Sequence, residues 1–286
     1  MSKKLDFGIV DTHVHVWDVE KMRYPWLDDV PFLNRSFTLA DYKDACGEVQ
    51  VDKMVFVQCE CDPAQHLNEV EWITAQAKTE PRLKGLVPWA PLEKGRAVEE
   101  ELAVFAQNPL IKGIRRIIQF EPDMEFCLKP GFITGVNLLP KYHLTCDVCI
   151  DYRHNRNTLK FLEKVGDVPC ILDHIGKPNI KGGGLDPWRS EIREMAQFPN
   201  LMCKVSSLAT EADHKKWTIE DIRPYADTIF EAFGPDRVVF AGDWPVSSQA
   251  AAYPVCVSTI LKLLKDVEND QLYKLFRKNA EDFYHI

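Results

Sequence analysis

Eight short runs of branched and aromatic residues alternate with helix-patterned segments along the 286-residue chain. Period-2 runs bounded by turn residues read as strands, and spacings of three and four read as helices. The first run is Phe7-Gly-Ile-Val-Asp11, and a long aromatic loop over residues 17–41 follows it. A helix starts near Asp41, with Thr38 as its cap. The later runs begin at Lys53, Leu83, Ile111, His143, Pro169, Leu201 and Arg237. Helical patterns lie between them, at 63–80, 95–107, 131–141, 155–165, 186–197 and 218–233, and two more close the chain at 253–266 and 269–280. Strict alternation implies a parallel sheet, and eight units imply one closed (β/α)8 barrel spanning residues 1–286 as a single domain. A doubly wound open sheet would carry a glycine-rich turn after its first strand, and this chain has none there.

A barrel of this kind places its chemistry at the carboxyl ends of its strands. The first strand ends in Asp11-Thr-His13-Val-His15, and side chains two apart share a face, so Asp11, His13 and His15 are expected to project together. Two adjacent imidazoles can hold a metal ion or grip a polar substrate group. The other strand ends supply Gln58, Arg115 with Arg116, Asp151 to His154, Asp173-His174, Lys204 with Ser206, and Asp243. Arg115 and Arg116 are adjacent, so only one of them can face inward.

The formal net charge of −8 argues against nucleic acid or an anionic membrane as partner. The nine cysteines are odd in number and several sit in apolar runs, which is the usage of a reduced, cytosolic protein. Cys146 and Cys149 lie three apart in a strand and so face opposite sides, which argues against a redox or metal pair. Cys59 and Cys61 can share a face, but no second pair with zinc-finger spacing accompanies them. The N-terminus shows no signal-peptide pattern, and no run reaches the roughly 20 apolar residues that span a bilayer. The expected partner is a small-molecule substrate, with a homo-oligomer left open.

Eight stretches carry a resemblance. They are Val10-Asp-Thr-His-Val-His-Val-Trp-Asp18, Tyr24-Pro-Trp-Leu27, Val87-Pro-Trp-Ala-Pro91, Lys112-Gly-Ile-Arg-Arg116, Leu172-Asp-His-Ile-Gly-Lys-Pro178, Cys203-Lys-Val-Ser-Ser-Leu208, Val239-Phe-Ala-Gly-Asp-Trp-Pro245 and Lys278-Asn-Ala-Glu-Asp-Phe-Tyr284. In this order the chain resembles the amidohydrolase superfamily, and within it the metal-dependent hydrolases that include the L-fucono- and L-rhamnonolactonases. The resemblance implies a general acid/base at Asp243 and metal or catalytic histidines at His13, His15 and His174. Binuclear members carry a bridging ligand at the end of strand four, where this chain has arginine. The resemblance therefore implies one divalent metal, zinc, held by His13, His15, His174 and Asp243, or a metal-free mechanism.

Opening a cyclic ester needs a water relieved of its proton and a proton for the departing alkoxide, and one carboxylate can serve both. On this reading the inward arginine of Arg115 and Arg116, together with Lys204, Gln58 and His154, binds substrate, and Trp17, Trp26 and Trp89 wall a sugar ring. The expected function is a lactonase acting on a sugar lactone. Its rivals are a zinc-dependent decarboxylase of the same superfamily and a barrel that binds a sugar acid without turnover. His66, His143, His214 and His285 read as structural or surface residues, and Glu99-Glu-Glu101 as a solvated helix face.

Overall fold

A computed structural model describes residues 5–286. The first four residues, on which the reading of a leaderless N-terminus bears, lie outside the described residues. The strands are β1 (Ile9–Val14), β2 (Val51–Val57), β3 (Leu83–Val87), β4 (Gly113–Arg115), β5 (Thr145–Val148), β6 (Cys170–Leu172), β7 (Leu201–Val205) and β8 (Val238–Phe240). All neighbouring pairs run parallel, in the orders β1-β2-β3 and β4-β5-β6-β7-β8. Single parallel bridges join these two arcs at both edges, Leu86 to Ile111 and Val14 to Trp244. The result is an α/β barrel, with the β8–β1 seam held by backbone bonds from Asp243 N to His13 O (2.8 Å) and from His15 N to Trp244 O (2.8 Å).

Helices α1 (Leu39–Cys46), α2 (His66–Gln76), α3 (Glu99–Phe105), α4 (Pro130–Asn137), α5 (Asn155–Val165), α6 (Trp188–Met195), α7 (Ile219–Phe233) and α8 (Tyr253–Leu263) alternate with the strands. The cap expected at Thr38 forms a reciprocal box with Asp41, which stabilises such a helix start by about 1 kcal/mol. The last segment is helical beyond its expected end, to Tyr284, and contains one wider π turn between α9 (Asn269–Tyr273) and α10 (Asn279–Tyr284). Val10, Ile171 and Val239 pack with Ala280, and Val55, Val57 and Val87 pack with Tyr284, so α10 plugs the floor of the barrel.

Two expectations change. The fourth strand is only three residues long, because Arg116 already leaves the sheet to pair with Glu93 and Glu121. In β1 a register shift between Asp11 and Val14 breaks the alternation. Asp11 therefore does not project with His13 and His15. It faces the helix layer, accepting bonds from Tyr42 Oη (2.8 Å), Tyr253 Oη (2.8 Å) and the Gly242 amide (2.7 Å). A Cβ at Gly242 would stand 2.3 Å from an Asp11 oxygen, so only glycine lets this bond form.

Glu69 on α2 is buried and accepts a bond from the Cys59 amide at 3.2 Å, pinning the loop after β2. Burial pushes its carboxyl up to about 8. The folded state thus holds a proton that the unfolded chain releases above its ordinary value of 4.5. The stability contribution is complete below that value and is lost as pH rises toward 8, at roughly 1 kcal/mol per pH unit. Denaturant titrations at pH 5 and pH 8 should show that this part of the decline disappears in Glu69→Gln.

Among the described residues, no helix is long and apolar enough to cross a membrane. All nine cysteines are free, and eight are buried.

Candidate active site

The ends of β1, β2, β4, β5, β6 and β8 meet at one pocket that holds about 530 Å³ between its walls and opens to solvent. Backbone geometry there is unusual. His174, Ile175, Ser207 and Asp243 all have φ between 51° and 54°. This left-handed region disfavours side chains with a Cβ, most of all a branched one such as isoleucine. Each such residue costs about 1–3 kcal/mol, and such strain persists where surrounding contacts over-determine the backbone, typically at functional sites.

His15 Nε2 lies 3.1 Å from His13 Nε2 and 3.4 Å from Asp243 Oδ1, while His13 Nε2 is 3.8 Å from the same oxygen. His15 Nδ1 donates to the Val57 carbonyl at 2.7 Å, which leaves its Nε2 lone pair facing the cluster. His174 Nδ1 is 2.8 Å from Ser206 Oγ and 3.9 Å from Asp243 Oδ2. The Ser207 hydroxyl also donates to Asp243.

Burial sets the protonation states. It lowers the pKa of all three imidazoles, that of His174 to about 3 and that of His13 well below the ordinary histidine value. At His13 the effect is reinforced by the ammonium of Lys204, whose Nζ stands 3.1 Å from the ring, while Arg115 lies 3.1 Å from its other nitrogen. Burial alone would raise Asp243, but the facing imidazoles outweigh it and hold the carboxyl far below the usual range. At neutral pH the cluster is three neutral imidazoles around one carboxylate.

That donor set fits a single divalent ion. His13, His174 and Asp243 place ligand atoms within 4.8 Å of one another, and His15 presents a fourth donor beside them. Neutral imidazole and carboxylate are the ligands zinc takes. Arg115 takes the position at the end of β4 where a bridging ligand for a second ion would stand.

A polar column runs beneath this cluster toward the floor. His13 Nδ1 is 3.5 Å from Asp173 Oδ1, which pairs with Lys204 Nζ at 3.0 Å. Lys204 also pairs with Asp147, and the Tyr284 hydroxyl from α10 stands 3.4 Å from that carboxylate. All five of these side chains are buried.

The predicted site residues are placed unevenly. Arg115 faces the pocket, with one guanidinium nitrogen on the Gln58 carbonyl and its buried Nε unpartnered among the described residues. Arg116 is the outward arginine, tied up by two glutamates, so its part in the substrate-binding expectation is corrected. Lys204 lies under the pocket and not in its wall, because two carboxylates hold it there. Trp17 lines the pocket beside Trp26, their rings 5.5 Å apart, and is held there by its Nε1, which donates to Arg35 O at 2.6 Å. Gln58 and Trp89 line a neighbouring trough rather than this pocket. His154 is buried with Nδ1 on Asp151 (3.1 Å) and is not a pocket residue.

Sequence reasoning gave no role to Asp147 or Asp173, although a lone carboxylate inside an apolar strand run is a signal for a buried partner. Glu60, Lys177 and Cys149, which also line the pocket, carried no such signal.

Against known proteins, the family model described as amidohydrolase matches residues 10–286. An L-fucono-1,5-lactonase of Burkholderia multivorans is 28% identical, over 88% of this chain and 86% of that protein. An L-rhamnono-gamma-lactonase of Scheffersomyces stipitis is 24% identical over the full length of both. A crystal structure of an amidohydrolase from Burkholderia multivorans with bound zinc superposes with a TM-score of 0.88 at 26% identity, covering 98% of this chain and all of the other.

Proposed function

The chain belongs to the amidohydrolase family, and from that premise we propose that it is a hydrolase that opens sugar lactones with Asp243 as general base and acid. The observation that carries this reading is an ionised, buried carboxylate facing a pocket among neutral imidazoles, beside a fixed guanidinium. Its relatives among the sugar lactonases support the same chemistry.

The lactone enters with its carbonyl toward Arg115, whose guanidinium borders the pocket and offsets the negative charge that develops on that oxygen. Asp243 takes a proton from the attacking water and returns it to the ring oxygen when the C–O bond breaks. The Ser207 hydroxyl and the left-handed backbone fix the direction of the carboxylate. A divalent metal would be held by His13, His15, His174 and Asp243, and when bound it lowers the pKa of water and polarises a carbonyl. Arg115 also places a permanent cation beside His13, which disfavours loading a dication and makes metal affinity modest.

Acid release from a panel of aldonolactones, followed with a pH indicator with and without chelator, tests the proposal. Turnover of a subset is expected. Loss of rate with chelator assigns the metal, and its retention assigns the oxyanion to Arg115. A panel with no turnover by folded, zinc-supplied protein overturns the proposal.

A further inference from the structure

Beside the reaction pocket lies a second trough, which holds about 560 Å³ between its walls and opens to solvent. The two share Trp26, Glu60 and Phe120 as common walls. These shared walls make the two adjoining compartments of one cleft, so a ligand seated in one can extend into the other.

The trough is built from rigid parts. Trp26 Nε1 donates to the Cys59 carbonyl at 2.8 Å, and its ring stands edge-on to the buried Trp17. Trp89 is braced edge-on by the His66 ring at 4.8 Å. His66 is itself held by the Pro63 carbonyl (2.6 Å) and by Glu101 (3.1 Å). Phe120 closes the shared wall and is 66% exposed, a large apolar surface with nothing over it among the described residues. Aromatic faces fixed in this way need no ordering when a ring stacks on them.

Glu60 sits at the junction of pocket and trough with φ 53°, strained for a residue with a Cβ. Gln58 holds it twice: its side-chain oxygen accepts from the Glu60 amide, and its side-chain amide donates to Glu60 Oε1 at 2.7 Å. Glu60 Oε2 makes no hydrogen bond among the described residues. A carboxylate with a free oxygen between aromatic walls accepts hydroxyl protons and repels an anionic group.

We infer that the trough is a second ring subsite, and that the substrate is a lactone ring carrying a neutral, hydroxylated glycosyl ring. This rests on the lactonase reading above. The glycosyl ring stacks its C–H face between Trp26, Trp89 and Phe120, and one of its hydroxyls donates to Glu60 Oε2.

The test starts from the aldonolactone most rapidly hydrolysed in the panel. Its kcat/KM is compared with those of the same lactone bearing a β-glucosyl group on each hydroxyl outside the ester. At least one glucosylated isomer should exceed the parent about tenfold, the factor that 1.4 kcal/mol of added stacking gives. In Trp89→Ala this preference should fall to near unity, and Trp89→Phe should retain part of it. Slower hydrolysis of every glucosylated isomer by the wild type overturns the second subsite and leaves the lactonase intact. An unchanged preference in Trp89→Ala overturns it as well. Silence toward parents and glucosylated lactones alike falls on the lactonase reading instead.

Discussion

Asp243→Asn should lower kcat for lactone hydrolysis by about 10³-fold or more while the protein keeps its fold. Proton transfer by a positioned side chain contributes about 10²–10⁴-fold, and an amide can neither accept nor return the proton. The substitution is chosen for its backbone as well as its chemistry. Position 243 has φ 52°, and asparagine is among the residues that tolerate this region best. The amide can still take the Ser207 hydrogen bond, so circular dichroism and thermal melting should match the wild type. A pH profile adds an independent check. The imidazoles hold the Asp243 carboxyl well below the usual range, so wild-type activity should not decline on the acid side where a free aspartate would begin to protonate. A wild-type rate in Asp243→Asn would remove Asp243 from the mechanism.

Lys204→Met should produce the largest loss of stability of any single substitution in the site. Lys204 Nζ stands between Asp147 and Asp173, and all three groups are completely buried. Burial would lower the lysine pKa, but the two carboxylates reverse the effect and raise it, so the ammonium keeps its charge. Removing one partner from a buried ion pair leaves an uncompensated charge and costs about 3–5 kcal/mol. Part of that cost should return in the double variant Lys204→Met with Asp147→Leu, which removes one stranded carboxylate with the cation. Denaturant midpoints of the three proteins measure this directly. Equal midpoints for wild type and Lys204→Met would show that the column carries no net stabilisation.

The sequence disclosed the frame of the site better than its interior. Alternation located all eight strands, since a parallel strand buried on both faces leaves a dense apolar run such as Leu201-Met-Cys-Lys-Val205. His13, His15, His174 and Asp243 were legible because strand ends in a barrel converge whatever their distance along the chain. Asp11 was misplaced because a register shift inside β1 is invisible to a period-2 rule. Lys204 and His154 were assigned by residue type, and type does not separate a wall from the layer behind it. The pairing of Asp147 with Lys204 spans 57 positions and depends on which β5 and β7 side chains point inward, which a single strand does not reveal. Glu60 owes its place to a left-handed backbone that only the folded loop displays.

The seam between the first and last strands sets an order of events in the life of the chain. His13 and Asp243 are joined through their backbones across the closing edge of the barrel, 230 residues apart. A chain emerging from the ribosome has His13 and His15 from the start, gains His174 with the sixth strand and lacks the carboxylate until the eighth strand arrives. Contacts of such long range form late, because their loop closure must be met before they contribute. If Asp243 is the general base proposed above, shortened and half-folded forms should be inactive, and the appearance of activity should report that the ring has shut.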